Sequence, residues 1–207
     1  MQRITNIVLF IIVLIFSSGC FSVSSINEKF RRIDRMWQLE YQKNEDAFRY
    51  RVIDFDYATV FHHMRKTFID LGLPVQSQSF DKGIIVAQVE APTPLTKEEW
   101  KKIVEVENPR VKKESGGIIR MLDDPKDYII TWTAIMKPMY GKTFILLEYK
   151  LDNPKHRERG LVANQYGPPL AIQLMSSKFW TQLEKRLETE NIPVPRRRTE
   201  KEKLLDI

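Results

Sequence analysis

Hydrophobic residues near the start of the chain recur at helical spacing. An apolar residue falls every three or four positions along one stripe, which predicts a helix: Ile26, Phe30, Ile33, Trp37 and Tyr41. Lys29, Arg31, Arg32 and Arg35 lie largely off this stripe. The helix either packs its stripe on its own domain or meets a membrane surface or a partner protein. On the second hypothesis the contact residues are Phe30, Arg31, Ile33, Trp37 and Tyr41.

A change of pattern near Tyr50 predicts the start of a folded domain over residues 50–192. YRVIDF alternates as a strand does, and Asp56 follows at the position of a helix N-cap. The apolar face of the next predicted helix consists of Val60, Phe61, Met64, Phe68 and Leu71. Gly72 closes this helix and Pro74 prevents its continuation.

Two hairpins follow, each with a turn signal between apolar runs. LPVQSQSF and GIIVAQVEA flank Asp81-Lys82-Gly83, and two longer strands at 126–138 and 142–151 flank Met139-Tyr140-Gly141. Between the hairpins, Thr96 and Glu99 form a capping box that predicts a short helix from Lys97 to Glu105. We expect residues 107–125 to be a charged loop with Gly116-Gly117 as its flexible point.

The last predicted element is a long helix that opens at Pro168 and Pro169 after a loop over 152–167. Its apolar positions include Leu170, Leu174, Met175, Phe179, Leu183 and Leu187. A polar, basic tail over 193–207 follows. The order of elements predicts an α+β domain of two layers, with an antiparallel sheet of four to five strands and the helices on one face, as in a helix-grip arrangement.

The first twenty residues carry a different signal. Arg3 precedes an unbroken apolar run from Ile7 to Phe16, which is too short to span a bilayer but fits the core of a secretory signal peptide. Small residues follow at once, so residues 1–19 are predicted to be removed before Cys20. Residues 20–49 then form a tether and the amphipathic helix.

Gly19 and Cys20, with Ser18 before them, resemble the lipobox of bacterial lipoproteins, whose cysteine receives a diacylglycerol. Ser17 departs from the pattern, because a branched aliphatic residue usually stands there. An ordinary signal peptide or a short anchor ending near a cysteine is the alternative. The resemblance implies a lipid anchor in the bilayer, and Phe21 after the cysteine implies the outer membrane, with the domain facing the periplasm.

A second resemblance covers residues 50–88. Their opening strand, aromatic-rich helix ending at Leu71-Gly72-Leu73, and Asp81-to-Ile84 hairpin look like the repeating domain of the C lipoprotein of the outer-membrane β-barrel assembly machinery. That family has two such domains behind a long unstructured segment, whereas this chain has room for one. The resemblance concerns the fold and implies no catalytic residue.

Composition adds constraints on chemistry and partners. The chain carries a net charge of +6, with charges of both signs interspersed, and its isoelectric point is near 9.3. This charge permits contact with acidic headgroups or wall polymers, and an exported protein rarely meets nucleic acid. Cys20 is the single cysteine, so its acylation would leave no thiol for catalysis, a disulfide or a metal.

We find no residue pattern that predicts catalysis, a metal or a cofactor. Asp54 with Asp56 and Asp123 with Asp124 occur at turns, and adjacent His62-His63, expected to face away from the core, lack the spacing of helical zinc ligands. The leading hypothesis is a lipid-anchored, non-enzymatic accessory or scaffold subunit of an outer-membrane assembly or secretion complex. A carrier of a lipid or lipopolysaccharide-like ligand is the alternative, and an enzyme acting on wall polymers comes third.

Overall fold

A computed structural model describes residues 23–43, 48–162 and 166–190. The predicted signal peptide, Cys20 and the polar tail lie outside these ranges. The elements are, in chain order, α1 (Val23–Lys43), β1 (Tyr50–Ile53), α2 (Tyr57–Asp70), β2 (Val75–Ser79), β3 (Ile84–Glu90), α3 (Lys97–Ser115), β4 (Ile129–Met139), β5 (Lys142–Asp152), α4 (Pro154–Glu158) and α5 (Pro169–Glu190).

The five strands form one antiparallel sheet in the order β1-β5-β4-β3-β2. β4 and β5 make its long central hairpin, and the predicted turn at Tyr140-Gly141 joins them. The first strand of the domain pairs with the last, with Tyr50 opposite Leu146. This pairing leaves β1 at one edge of the sheet and β2 at the other.

Helices cover one face of this sheet, as the amphipathic pattern predicts. Inward side chains of the central strands, such as Ile85, Trp132 and Leu147, are completely buried. The Trp132 ring meets Phe68 of α2 and Phe179 of α5, at centroid distances of 6.1 and 5.6 Å. The predicted α+β fold, an antiparallel sheet with helices packed on it, is therefore confirmed.

The helix α3 is longer than its sequence predicts. It begins as expected at Thr96, whose side chain accepts from the Glu99 amide while the Glu99 carboxylate accepts from the Thr96 amide. It then continues through Pro109 to Ser115, where Gly116 ends it with φ of 65°. The charged loop predicted from residue 107 is thus wrong up to residue 115, because burial of Val111 and Ser115 outweighs the local cost of the proline.

The adjacent histidines on α2 do not share one environment. His62 is exposed, as predicted, but His63 is buried within the helix layer. The prediction that both face away from the core is therefore wrong for His63. Successive residues of a helix are separated by about 100°, and a wide apolar face includes the second of them.

Candidate functional site

The apolar residues of the predicted contact helix α1 face the protein itself. Phe30, Ile33, Trp37 and Tyr41 are all buried, whereas Arg31 is exposed. The hypothesis that these four side chains form an outer contact surface is thus corrected: they pack against the described domain, as the other hypothesis held. Arg31 remains on the surface of the helix.

Glu107 of α3 ties α1 to the rest of the molecule. Its carboxylate accepts from Trp37 Nε1 at 3.3 Å and from the Arg110 guanidinium at 3.2 and 3.3 Å. The same Arg110 bonds to Glu40 on α1. This one carboxylate therefore joins α1 to α3, and the nearby Leu170 amide at the start of α5 favours its charged form.

Burial raises the pKa of Glu107, and the neighbouring Arg110 charge opposes that rise. A raised carboxyl pKa is one mark of a general acid. The side chain is only 1% exposed, however, and its oxygens are engaged by Trp37 and Arg110. This arrangement suits a structural junction that substrate cannot reach.

The two acid pairs considered for catalysis, Asp54 with Asp56 and Asp123 with Asp124, are exposed, unlike the buried Glu107. Asp56 caps α2 by accepting from the Thr59 amide at 3.0 Å, and the Thr59 side chain, followed by that amide, lowers the pKa of Asp56. Asp54 is exposed and lies 3.6 Å from Lys142, and Asp123 and Asp124 are both exposed. Within the described ranges, no group of three or more His, Cys, Asp or Glu side chains is placed to hold a metal ion.

A small apolar cavity lies between α1, α3 and the loop that follows α3. Its volume is about 60 Å³. Its lining includes Phe30, Trp37, Trp100, Met121 and Tyr128. A dry cavity of roughly 150 Å³ holds one benzene molecule, so this one has room for only a few carbon atoms.

The start of α1 packs at the open end of the β4–β5 hairpin, and the hairpin tip lies at its other end. Val23 lies beside Gly160, and the Asn27 side chain donates to the Gly160 carbonyl at 3.1 Å. Gly160 follows the end of β5, whose other end is the turn at Tyr140. The eleven residues of β5 at about 3.3 Å each separate these ends by about 35 Å.

The hairpin tip is the most prominent exposed feature of the described chain. Tyr140 is wholly exposed and has a positive φ of 48°, and Met139 before it is also exposed. Lys137 and Lys142 flank them. The sequence predicts the turn, but it does not show that an aromatic ring stands there without packing. Met139 and Tyr140 together give the tip a small exposed apolar surface between two lysines.

The comparisons with known proteins found no match to any protein-family model and no significant similarity to a curated protein. In the described part of the chain, every helix is too short or too polar to cross a membrane.

Proposed function

We propose that this protein is a lipid-anchored, non-enzymatic envelope protein that acts as an accessory or scaffold subunit of an outer-membrane assembly or secretion complex. The observation that carries the proposal is the sequence Ser17-Ser18-Gly19-Cys20 directly after an apolar run. An acylated Cys20 binds the bilayer firmly, because each buried CH₂ contributes about 0.8 kcal/mol. Phe21 after the cysteine favours the outer membrane, with the domain facing the periplasm.

Because α1 packs on the domain, a lipid anchor at Cys20 would also fix how far the domain can lie from the bilayer. Only two residues separate Cys20 from Val23, so the chain between them spans at most about 10 Å. From Val23 onward the helix is fixed to the domain through Asn27, Trp37 and Tyr41. An acylated Cys20 therefore holds the domain close to the bilayer by the Gly160 end.

The same geometry directs the exposed hairpin tip away from the bilayer. Tyr140 stands just before β5, which is about 35 Å long, and the anchored end of α1 packs beyond the other end of that strand. Tethering raises the effective concentration of the domain near partners on the same membrane, so that weak contacts suffice. We propose that the tip contacts a protein partner, and nucleic acid has no part in the proposal.

Fractionation tests the anchor. Cys20→Ala is expected to move the protein from the membrane fraction to the soluble periplasmic fraction, while Ser24→Ala, four residues away on the exposed surface of α1, leaves it membrane-bound. Labelled palmitate should be incorporated into the wild type and lost in Cys20→Ala alone. Tight membrane association of Cys20→Ala after a carbonate wash would point to an uncleaved helix as the anchor, and palmitate absent from the wild type would contradict the lipid anchor.

Photo-crosslinking in living cells tests the scaffold role. A photoreactive residue at position 140 is expected to give one dominant protein adduct, and the same residue at exposed Leu39 serves as the control. Mass spectrometry of the adduct names the complex. Equal, diffuse adducts from both positions would contradict a defined protein contact at the tip.

The apolar cavity under Trp37 and Trp100 favours a second candidate, a carrier of a lipid or lipopolysaccharide-like ligand. Its 60 Å³ volume admits only the end of an acyl chain. Extraction of the purified Cys20→Ala protein, which has no covalent lipid, decides the question. A stoichiometric bound lipid would favour the carrier, and its absence would favour the scaffold.

A further inference from the structure

A groove runs between the edge strand β2 and the helix α2, far from the α1 junction. Its volume is about 420 Å³. It is lined by Arg65, Ile69, Val75, Gln76, Ser77 and Gln78. β2 pairs only with β3, and no strand of the described chain lies along its outer side. Every second residue of such an edge directs its N–H and C=O groups outward.

The two elements that form the groove run side by side in opposite directions. At one end the Tyr57 hydroxyl at the start of α2 donates to the Phe80 carbonyl just after β2. Phe80 also packs on Phe61, with ring centroids 5.1 Å apart. At the other end a short turn through Gly72 leads α2 into Val75. Between these two ends the groove follows β2 from Val75 to Gln78.

The edge of β2 lacks two of the features that usually prevent a further strand from pairing, a charged side chain and a proline. Its sequence VQSQS contains no charge and no proline. A bulge separates Val75 from Ser77, and the register from Ser77 to Ser79 is regular. Ile69 on α2 is an exposed apolar side chain in the groove, and exposed Phe80 stands just after β2, outside its lining. This edge offers main-chain hydrogen bonds together with apolar contacts.

The spacing and charge of the α2 residues that line the groove define which side chains an added strand would need. Arg65 and Ile69 are four residues apart on α2, or about 6 Å along its axis. Side chains on one face of a strand repeat at about 6.7 Å, so two alternate residues of an extended chain fit over these positions. Arg65 is exposed and makes no ion pair with any described residue. Its charge favours an acidic side chain.

We propose that this groove binds an extended segment of a partner protein as a sixth strand beside β2. An acidic side chain of the segment faces Arg65, and an aliphatic side chain two residues away faces Ile69. Main-chain hydrogen bonds to β2 supply the affinity, and the two side-chain contacts supply the selectivity. No residue that lines the groove belongs to the hairpin tip or to the lipobox sequence, so this binding does not require the proposed anchor.

A peptide selection tests the proposal directly. The full chain, purified in detergent, is used to select from a phage-displayed library of random dodecapeptides. The expected binders share an acidic residue and an aliphatic residue spaced by one position. A selected peptide, labelled with a fluorophore, is then titrated by anisotropy against the wild type, Arg65→Glu and Arg31→Glu. Arg31 is an exposed arginine on α1, outside the groove, and is the matched control.

Arg65→Glu is expected to weaken binding roughly five- to tenfold, since an exposed ion pair contributes up to about fivefold and charge reversal adds repulsion. Arg31→Glu should leave it unchanged. A peptide with its acid replaced by Lys should prefer Arg65→Glu, and hydrogen exchange should show new protection over Val75–Ser79. Circular dichroism confirms that both variants are folded.

Three results would overturn the proposal. One is a selection that enriches no acidic motif. Another is a binder that Arg65→Glu and Arg31→Glu affect equally, or that protects a segment other than β2. The third is protection of β2 without any peptide, lost on dilution or in Arg65→Glu, since the occupant would then be a second copy of the chain or its own tail.

Discussion

Truncation of Trp37 to alanine tests whether α1 belongs to the folded domain. The side chain is 4% exposed, packs with Ile33 and Val111, and donates a hydrogen bond to the buried Glu107 carboxylate. Removing a buried tryptophan costs about 3–5 kcal/mol through lost burial and the cavity left behind. We therefore expect Trp37→Ala to lower the free energy of unfolding by about 4 kcal/mol. For a chain of this size that lowers Tm by roughly 8–16 °C.

Thermal unfolding followed by circular dichroism measures this effect, and two further variants sharpen it. Leu39→Ala changes a residue of the same helix that is 55% exposed, and should shift Tm by no more than about 2 °C. Trp37→Phe keeps most of the ring but loses the donor to Glu107, so its Tm should fall between those of the other two. A Trp37→Ala protein that melts like Leu39→Ala would refute the docking of α1 and would restore its stripe as a free contact surface.

Three further predictions concern Glu107, the start of α3 and the hairpin tip. Burial raises the folded-state pKa of Glu107 above its unfolded value, so its favourable contribution is full below the unfolded pKa and is lost as pH rises through the folded pKa. Melting curves from pH 7 to pH 4 should therefore show Glu107→Gln becoming less stable relative to the wild type as pH falls, and a constant difference would contradict the raised pKa. Thr96→Ala removes the acceptor of the capping box and should cost about 1 kcal/mol, or roughly 2–4 °C in Tm; a Tm equal to the wild type would show that α3 does not depend on its cap. Tyr140→Asn should raise Tm by roughly 2–4 °C, because asparagine tolerates the positive φ that costs other residues about 1 kcal/mol, and a lower Tm would mean that the Tyr140 ring stabilises the fold.

The fold was largely predictable because its signals are local. Alternation in 126–138 and 142–151, the turn at Tyr140-Gly141 and the capping box at Thr96 each identify an element without its neighbours. The extent of α3 was not predictable in this way. Pro109 and the surrounding charges favour a loop by local propensity, and only the burial of Val111 against α1 keeps that segment helical.

The candidate sites were harder to predict from the sequence than the fold, because they depend on tertiary contacts. The sequence identified the stripe of α1 but could not decide between the domain and an outside partner, because both need the same apolar face. The sequence does not indicate that Glu107 is buried, since a glutamate in a charged segment is usually exposed. The groove beside β2 could not be predicted either. Arg65 and Ile69 read as ordinary surface residues in the sequence, and only the sheet order shows that they lie beside an edge strand.

Several contacts join residues near the start of the chain to residues near its end, and this affects when an exported chain could fold. Phe48, just before β1, accepts a hydrogen bond from Trp180 across 132 residues of chain, and Trp37 reaches Glu107 across 70. Contacts of such long range form slowly and only after both partners are present. For the exported chain that we propose, the topology itself delays folding until the last helix has been synthesised. Such a chain would stay open enough to thread through a translocation channel, and Cys20 would meet a lipid-transferring enzyme before the domain had folded.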